Sequence, residues 1–110
     1  MKHRYTLDRG TKQIVMIIMH AVPARRARRR AGKSTEFDEM ADNAIKDAEK
    51  EIKLEGYTGR ERRNLLYKLR ESLTYNIKWE DMEEIYCCRN VFYRYRKEYC
   101  YLVALHMGMV

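Results

Sequence analysis

The sequence predicts an all-α protein of about five helices. Three observations carry that prediction. Apolar residues recur at three- and four-residue spacing along most of the chain, as on one face of a helix. Side chains suited to capping stand before these stretches, and glycines follow them. One proline and five glycines in 110 residues are too few for a turn-rich β protein. The length suits one modest core, with 1–33 read as an N-terminal helix and arginine-rich segment and 34–110 as a helical domain.

The first helix is expected over 9–22, with Asp8 as its cap and Ile14, Ile17, Ile18 and Ala21 at helical spacing. The continuous run Ile14–Met19 leaves a strand as the competing reading. Pro23 ends this element or opens the next turn. A basic segment over 24–33 follows and is closed by Gly32. The second helix is the clearest. Thr35 and Asp38 resemble a capping box with Asp in place of Glu, and Phe37, Ala41, Ala44, Ile45, Ala48 and Ile52 form one stripe before Gly56. A third helix starts at Thr58, with Glu61 completing a capping box, and its apolar face is Leu65, Leu66, Leu69 and Leu73. The pattern breaks near Asn76. Trp79, Met82 and Ile85, spaced by three, indicate a short fourth helix ending at Tyr86–Cys87. The last helix is expected from about Cys88 to His106, stopped by Gly108.

The net charge of +7 is unevenly placed. Residues 1–33 hold ten Lys/Arg against one acid, and residues 34–55 hold three against eight. Residues 56–87 balance, and residues 88–110 hold four against one. Segregation of this kind points to a polyanionic partner. Three cysteines, two of them adjacent at Cys87 and Cys88, do not make a disulfide framework and suit a reducing cytoplasm. The apolar run Ile14–Met19 follows a basic start, but it is too short to span a bilayer, which takes roughly 20 apolar residues. Export is therefore not expected, and neither is a membrane partner.

The C-terminal third points to function. A helix-turn-helix unit at about 78–107 would pair the short Trp79 helix with the last helix. Phe92, Tyr95, Tyr99, Leu102, Val103 and His106 make one continuous buried face. The opposite side presents Arg89, Asn90, Tyr93 and Arg94 near the helix start, where a recognition helix reads base edges. Arg96 and Lys97 suit phosphates. So do Arg25, Arg26, Arg28, Arg29 and Arg30, together with Lys33, as a salt-sensitive backbone contact. The plainer alternative is an amphipathic helix with a solvated basic face. The acidic, Trp-anchored segment before the helix and the basic cluster at its start favour the DNA-binding reading.

The stretch Cys88-Arg89-Asn90-Val91-Phe92-Tyr93-Arg94-Tyr95-Arg96 resembles the Ser-Arg-x-Thr-Phe-Tyr-Arg-x-Arg pattern of bacterial recognition helices, with Cys88 in place of Ser. Tyr5, Thr11-Lys12 and the closing Phe92-Tyr93, Arg96, Tyr99, Leu102-Val103-Ala104 and Gly108 extend the likeness. They resemble small phage-encoded helix-turn-helix regulators of Firmicutes, the ArpU/RinA-like and sigma-region-4-like proteins. The similarity covers residues 60–108 best. It implies DNA binding and control of phage or mobile-element genes.

Other chemistries are less well supported. Residues 27–34 match a relaxed phosphate loop, but the chain has no room for the parallel sheet such a loop needs. Cys87, Cys88, Cys100 and His106 lack metal-ligand spacing. No Ser, His, Asp or Glu pairing marks a catalytic site, so no enzyme and no cofactor are expected. The expected partner is double-stranded DNA. RNA polymerase and a second copy of the chain are the protein partners such a regulator would meet. Two alternatives stand beside it. One is an RNA-binding or nucleic-acid-packaging accessory using Arg25–Arg30, and the other is a phage-encoded inhibitor of a host enzyme.

Overall fold

A computed structural model describes residues 5–110, and its regular elements are helices. Asp8 caps α1 (Arg9–His20) by accepting the Thr11 backbone N–H at 2.7 Å. That helix stops two residues short of the expected end, and a second helix begins almost at once. Pro23 sits in the first turn of α2 (Val22–Arg30), where its missing N–H costs nothing. Pro23 thus opens an element, and the basic segment is helical. α3 (Glu36–Glu51) starts with the expected capping box between Thr35 and Asp38. α4 (Gly59–Tyr75) ends at Asn76, whose left-handed backbone, φ 55°, breaks the helix where the apolar pattern breaks. Thr58 precedes α4 but its hydroxyl makes no cap bond, so the second expected capping box is not formed. α5 (Arg89–His106) closes the fold. Among the described residues, no helix is long and apolar enough to cross a membrane.

The core draws on α1, α3, α4 and α5. Val15, Ile18, Met19 and Val22 are buried, at offsets 0, 3, 4 and 7. The expected stripe on α1 was one position out of phase. Ile18 is buried, but Ile14 and Ile17 are 48% and 67% exposed. An unbroken apolar run offers two overlapping faces, and packing against α4 and α5 selects one. α3 buries Ala41, Ala44, Ile45 and Ala48, with Ile52 just beyond its end. These small residues let α5 lie close against it. Phe37, expected on that stripe, is exposed. Leu65, Leu69 and Leu73 of α4 are buried as expected, and Leu66 is half-buried. On α5, Phe92, Tyr95, Tyr99, Leu102 and Val103 face inward. His106 instead lies at the surface, 2.6 Å from Glu51.

The short fourth helix is corrected by the structure. Residues 76–88 form an irregular connection whose only helical part is the 3₁₀ turn Trp79–Asp81. Glu84 has φ 57°, which an α-helix does not accommodate. Glu80, Asp81, Glu83 and Glu84 also crowd like charge into what would be two turns of helix. The spacing of Trp79, Met82 and Ile85 has another cause, since all three are half-buried side chains packed against the core. No helix-turn-helix pair is therefore formed at 78–107. α5 follows a tethered loop, in which the Trp79 backbone N–H donates to the Tyr93 hydroxyl at 3.0 Å and the indole N–H donates to the Cys87 carbonyl at 3.1 Å.

Leu102 is 5% exposed in the middle of the α5 core face. Leu102→Ala is expected to cost about 2–5 kcal/mol of unfolding free energy in a urea titration. Unchanged stability would show that this face is not packed.

Candidate nucleic-acid interface

The arginine segment folds against the protein's own acids. Asp38, Asp42 and Glu49 stand at offsets 0, 4 and 11 on α3, which places them in one row on that helix. Arg28 forms a two-bond fork with Asp38, both bonds at 2.7 Å. Arg25 and Arg29 each donate to Asp42 at 2.7 Å. Arg25 is only 2% exposed, so it is withdrawn from any phosphate. Arg28 and Arg29 keep part of their surface but are held in these pairs. Arg26 and Arg30 are exposed and, among the described residues, form no ion pair; Lys33, beyond Gly32, is exposed as well. Of the proposed phosphate contacts in this segment, these three are the ones left free.

The third carboxylate joins three helices. Glu49 accepts two bonds of 2.7 Å from Arg70 of α4 and one from the Tyr99 hydroxyl of α5. Burial first, and the Glu49 charge second, push the Tyr99 phenol far above its usual range. It therefore stays protonated and donates. The sequence reading missed this triad, because its members lie 21 and 50 residues apart from Glu49.

The base-reading candidates divide into two groups. Asn90 and Arg94 are exposed on the outer face of α5, and Lys97 continues that face. The Arg94 guanidinium also lies 5.7 Å from the centre of the Tyr95 ring. Arg89 and Tyr93 are engaged with the preceding loop. Arg89 pairs with Glu80 at 2.7 Å and covers the Tyr93 ring at 5.1 Å, while the Tyr93 hydroxyl accepts from Trp79. Arg96 is half-buried, donates to the Ser72 hydroxyl at 3.1 Å and lies 5.3 Å from the Tyr93 ring centre. Glu98, the acid on α5, is buried and accepts the Lys53 backbone N–H.

Beside this face, between the 5–7 segment, α1, α4 and α5, lies a cleft of about 480 Å³. Lys12, Arg96 and Lys97 line it, as do Tyr93, Met16 and Cys100. Burial pushes the Cys100 thiol up to about 11, against the opposing pull of Arg96 and Lys12. Apart from Tyr5, Lys12 and the α5 residues quoted above, nothing in the sequence had singled out this cleft.

No family model, no curated protein and no solved structure matches this chain. Its class is therefore defined by its own geometry, an all-α protein with a basic outer face on its last helix.

The Arg28 fork, followed by the Thr35 backbone N–H, holds the Asp38 carboxyl well below the usual carboxylate range. A carboxyl lowered in the folded state stabilises fully above its unfolded value of about 4, and the effect is lost as pH falls through the folded value. Asp38→Asn is thus expected to melt below wild type at pH 7, with the gap narrowing between about pH 4 and pH 2. Melting curves across that range check this, and a constant gap would show that the ionised carboxylate is not the stabilising form.

Proposed function

We propose that the protein binds double-stranded DNA and acts in transcription control, laying the N-terminal half of α5 in the major groove. The observation that carries this reading is the outer face of that half. Asn90, Arg94 and Lys97 are exposed at offsets 0, 4 and 7, while Glu98 is turned into the core. A row of one amide and two cations suits a polyanion. Asn can bond the adenine edge and Arg the guanine edge in bidentate fashion. Lys97 suits a phosphate beside the groove. Arg89 and Tyr93, tied to Glu80 and Trp79, are assigned to positioning the helix start. Arg26, Arg30 and Lys33 are assigned to sequence-independent phosphate contact.

The resemblance of residues 88–96 to recognition helices of phage-encoded regulators supports the regulatory role. A helix entering the groove does not itself require a short helix before it, so the irregular 76–88 loop is compatible with this role. The reading built on the arginine segment as the principal RNA contact has less support, because Arg25, Arg28 and Arg29 are drawn into pairs with α3.

Selection from a random DNA pool, followed by titration of the selected and scrambled duplexes at several salt concentrations, tests the proposal. Arg94→Ala should cost about 1–3 kcal/mol on the selected site and relax preference at one or two base pairs. Arg26→Ala with Arg30→Ala should weaken all duplexes alike and flatten the salt dependence by about one unit of slope for each phosphate no longer neutralised. Enrichment of no sequence, with neither change altering affinity, would overturn it.

A further inference from the structure

The cleft between the 5–7 segment, α1, α4 and α5 has the composition of a ligand site, and the DNA reading leaves its 5–7 and α1 walls unused. Its volume, about 480 Å³, falls within the range that encloses small organic molecules. Met16 of α1, Leu73 of α4 and Cys100 of α5 give it an apolar floor. Cys100 and Leu73 are buried beneath it, and Met16 is half-buried. Lys12 and Lys97 are cations at its edge. Between floor and edge stand Tyr93 and Arg96, the guanidinium lying 5.3 Å from the ring centre. No carboxylate is among the described residues lining the cleft.

Each feature restricts the ligand. Three cations without an acid select an anion, and one carrying more than a single charge engages them best. An apolar floor beneath a planar guanidinium, itself backed by the Tyr93 ring, suits a flat ring, since rings stack on a guanidinium plane. Purines and pyrimidines are bound in this way elsewhere, on aromatic and arginine planes. Ring and phosphate must be within a few bonds of each other to occupy one cleft of this volume. We propose that this cleft is a binding site for a nucleoside monophosphate, with the base over Met16 against the Arg96 guanidinium, and the phosphate at Lys12 and Lys97. The proposal shares Lys97 with the DNA reading but is tested apart from it, because a mononucleotide titration needs no duplex.

Calorimetric titration of the whole chain with each of the four nucleoside monophosphates tests it, with inorganic phosphate and the corresponding nucleosides as partial ligands. One nucleotide or more should bind one-to-one and saturably, at least roughly tenfold tighter than either part alone, since base stacking and charge pairing each contribute. Lys12→Glu should weaken it at least roughly tenfold, because an attractive contact becomes repulsive. Lys50→Glu changes the net charge equally on an exposed position of α3, a helix that does not line the cleft, and should leave binding within about twofold, as a screened, distant charge does. Met16→Trp, which fills the floor, should abolish binding in protein whose circular dichroism and melting temperature match wild type. If that variant does not fold, the Lys12 and Lys50 changes decide the matter. Equal weakening by Lys12→Glu and Lys50→Glu would show attraction to the general field of a basic protein and overturn the site. So would the absence of saturable binding, or phosphate alone binding as tightly as the nucleotide.

Discussion

The fold depends on a row of carboxylates along α3. Asp38 and Asp42 hold α2 through Arg28, Arg25 and Arg29, and Glu49 holds α4 and α5 through Arg70 and Tyr99. Burial of Arg25 at 2% exposure requires its partner, since an ion removed from water without compensation is strongly destabilising. Such pairs add less net stability than their number suggests, because desolvation offsets much of the attraction. Their effect here is to fix register. An arginine-rich helix could slide along an acidic one, but the Arg28 fork at Asp38 and the Arg25 bond at Asp42 define one alignment.

This constraint divides the positive charge of the chain into two kinds. Arg25, Arg28, Arg29 and Arg70 serve the fold. Arg26, Arg30, Arg94 and Lys97 face solvent. The outer face of α5 therefore carries a larger share of any interaction with a polyanion than a count of arginines implies. The loop before α5 adds to that organisation. Trp79 binds the Tyr93 hydroxyl and the Cys87 carbonyl, and Arg89 pairs with Glu80, so the start of α5 is braced from outside the helix.

Much of the fold is legible in the sequence, and its failures have physical causes. The all-α class, the Asp8 and Thr35 caps, the α3 alanine row and the α5 core face follow from local patterns that tertiary packing leaves in place. On α1 the unbroken run Ile14–Met19 fits two faces, and only contact with other helices chooses between them. Trp79, Met82 and Ile85 have helical spacing, yet core packing and Trp79 hydrogen bonds hold them in an irregular loop. The arginine segment shows a different limit. Charge segregation between residues 1–33 and 34–55 pointed to a polyanionic partner, but for three of the five arginines the acidic partner is α3 of the same chain. Composition shows the sign of the attraction and not whether it is intramolecular. Asn90, Arg94 and Lys97 were legible as a surface because helical spacing separates them from Phe92, Tyr95 and Tyr99. The cleft at Lys12 was not, since its walls come from three helices and the segment before the first of them.

The division of charge rests on the pairing of α2 with α3, and a double-mutant cycle on Arg25 and Asp42 measures that pairing directly. Unfolding free energies of wild type, Arg25→Ala, Asp42→Ala and the double variant would be compared. The structure predicts that the double variant loses less than the sum of the single changes, by about 1 kcal/mol or more, as for residues in direct contact. Additivity within about 0.5 kcal/mol would mean that Arg25 and Asp42 do not hold each other, and would contradict the assignment of this arginine segment to the fold.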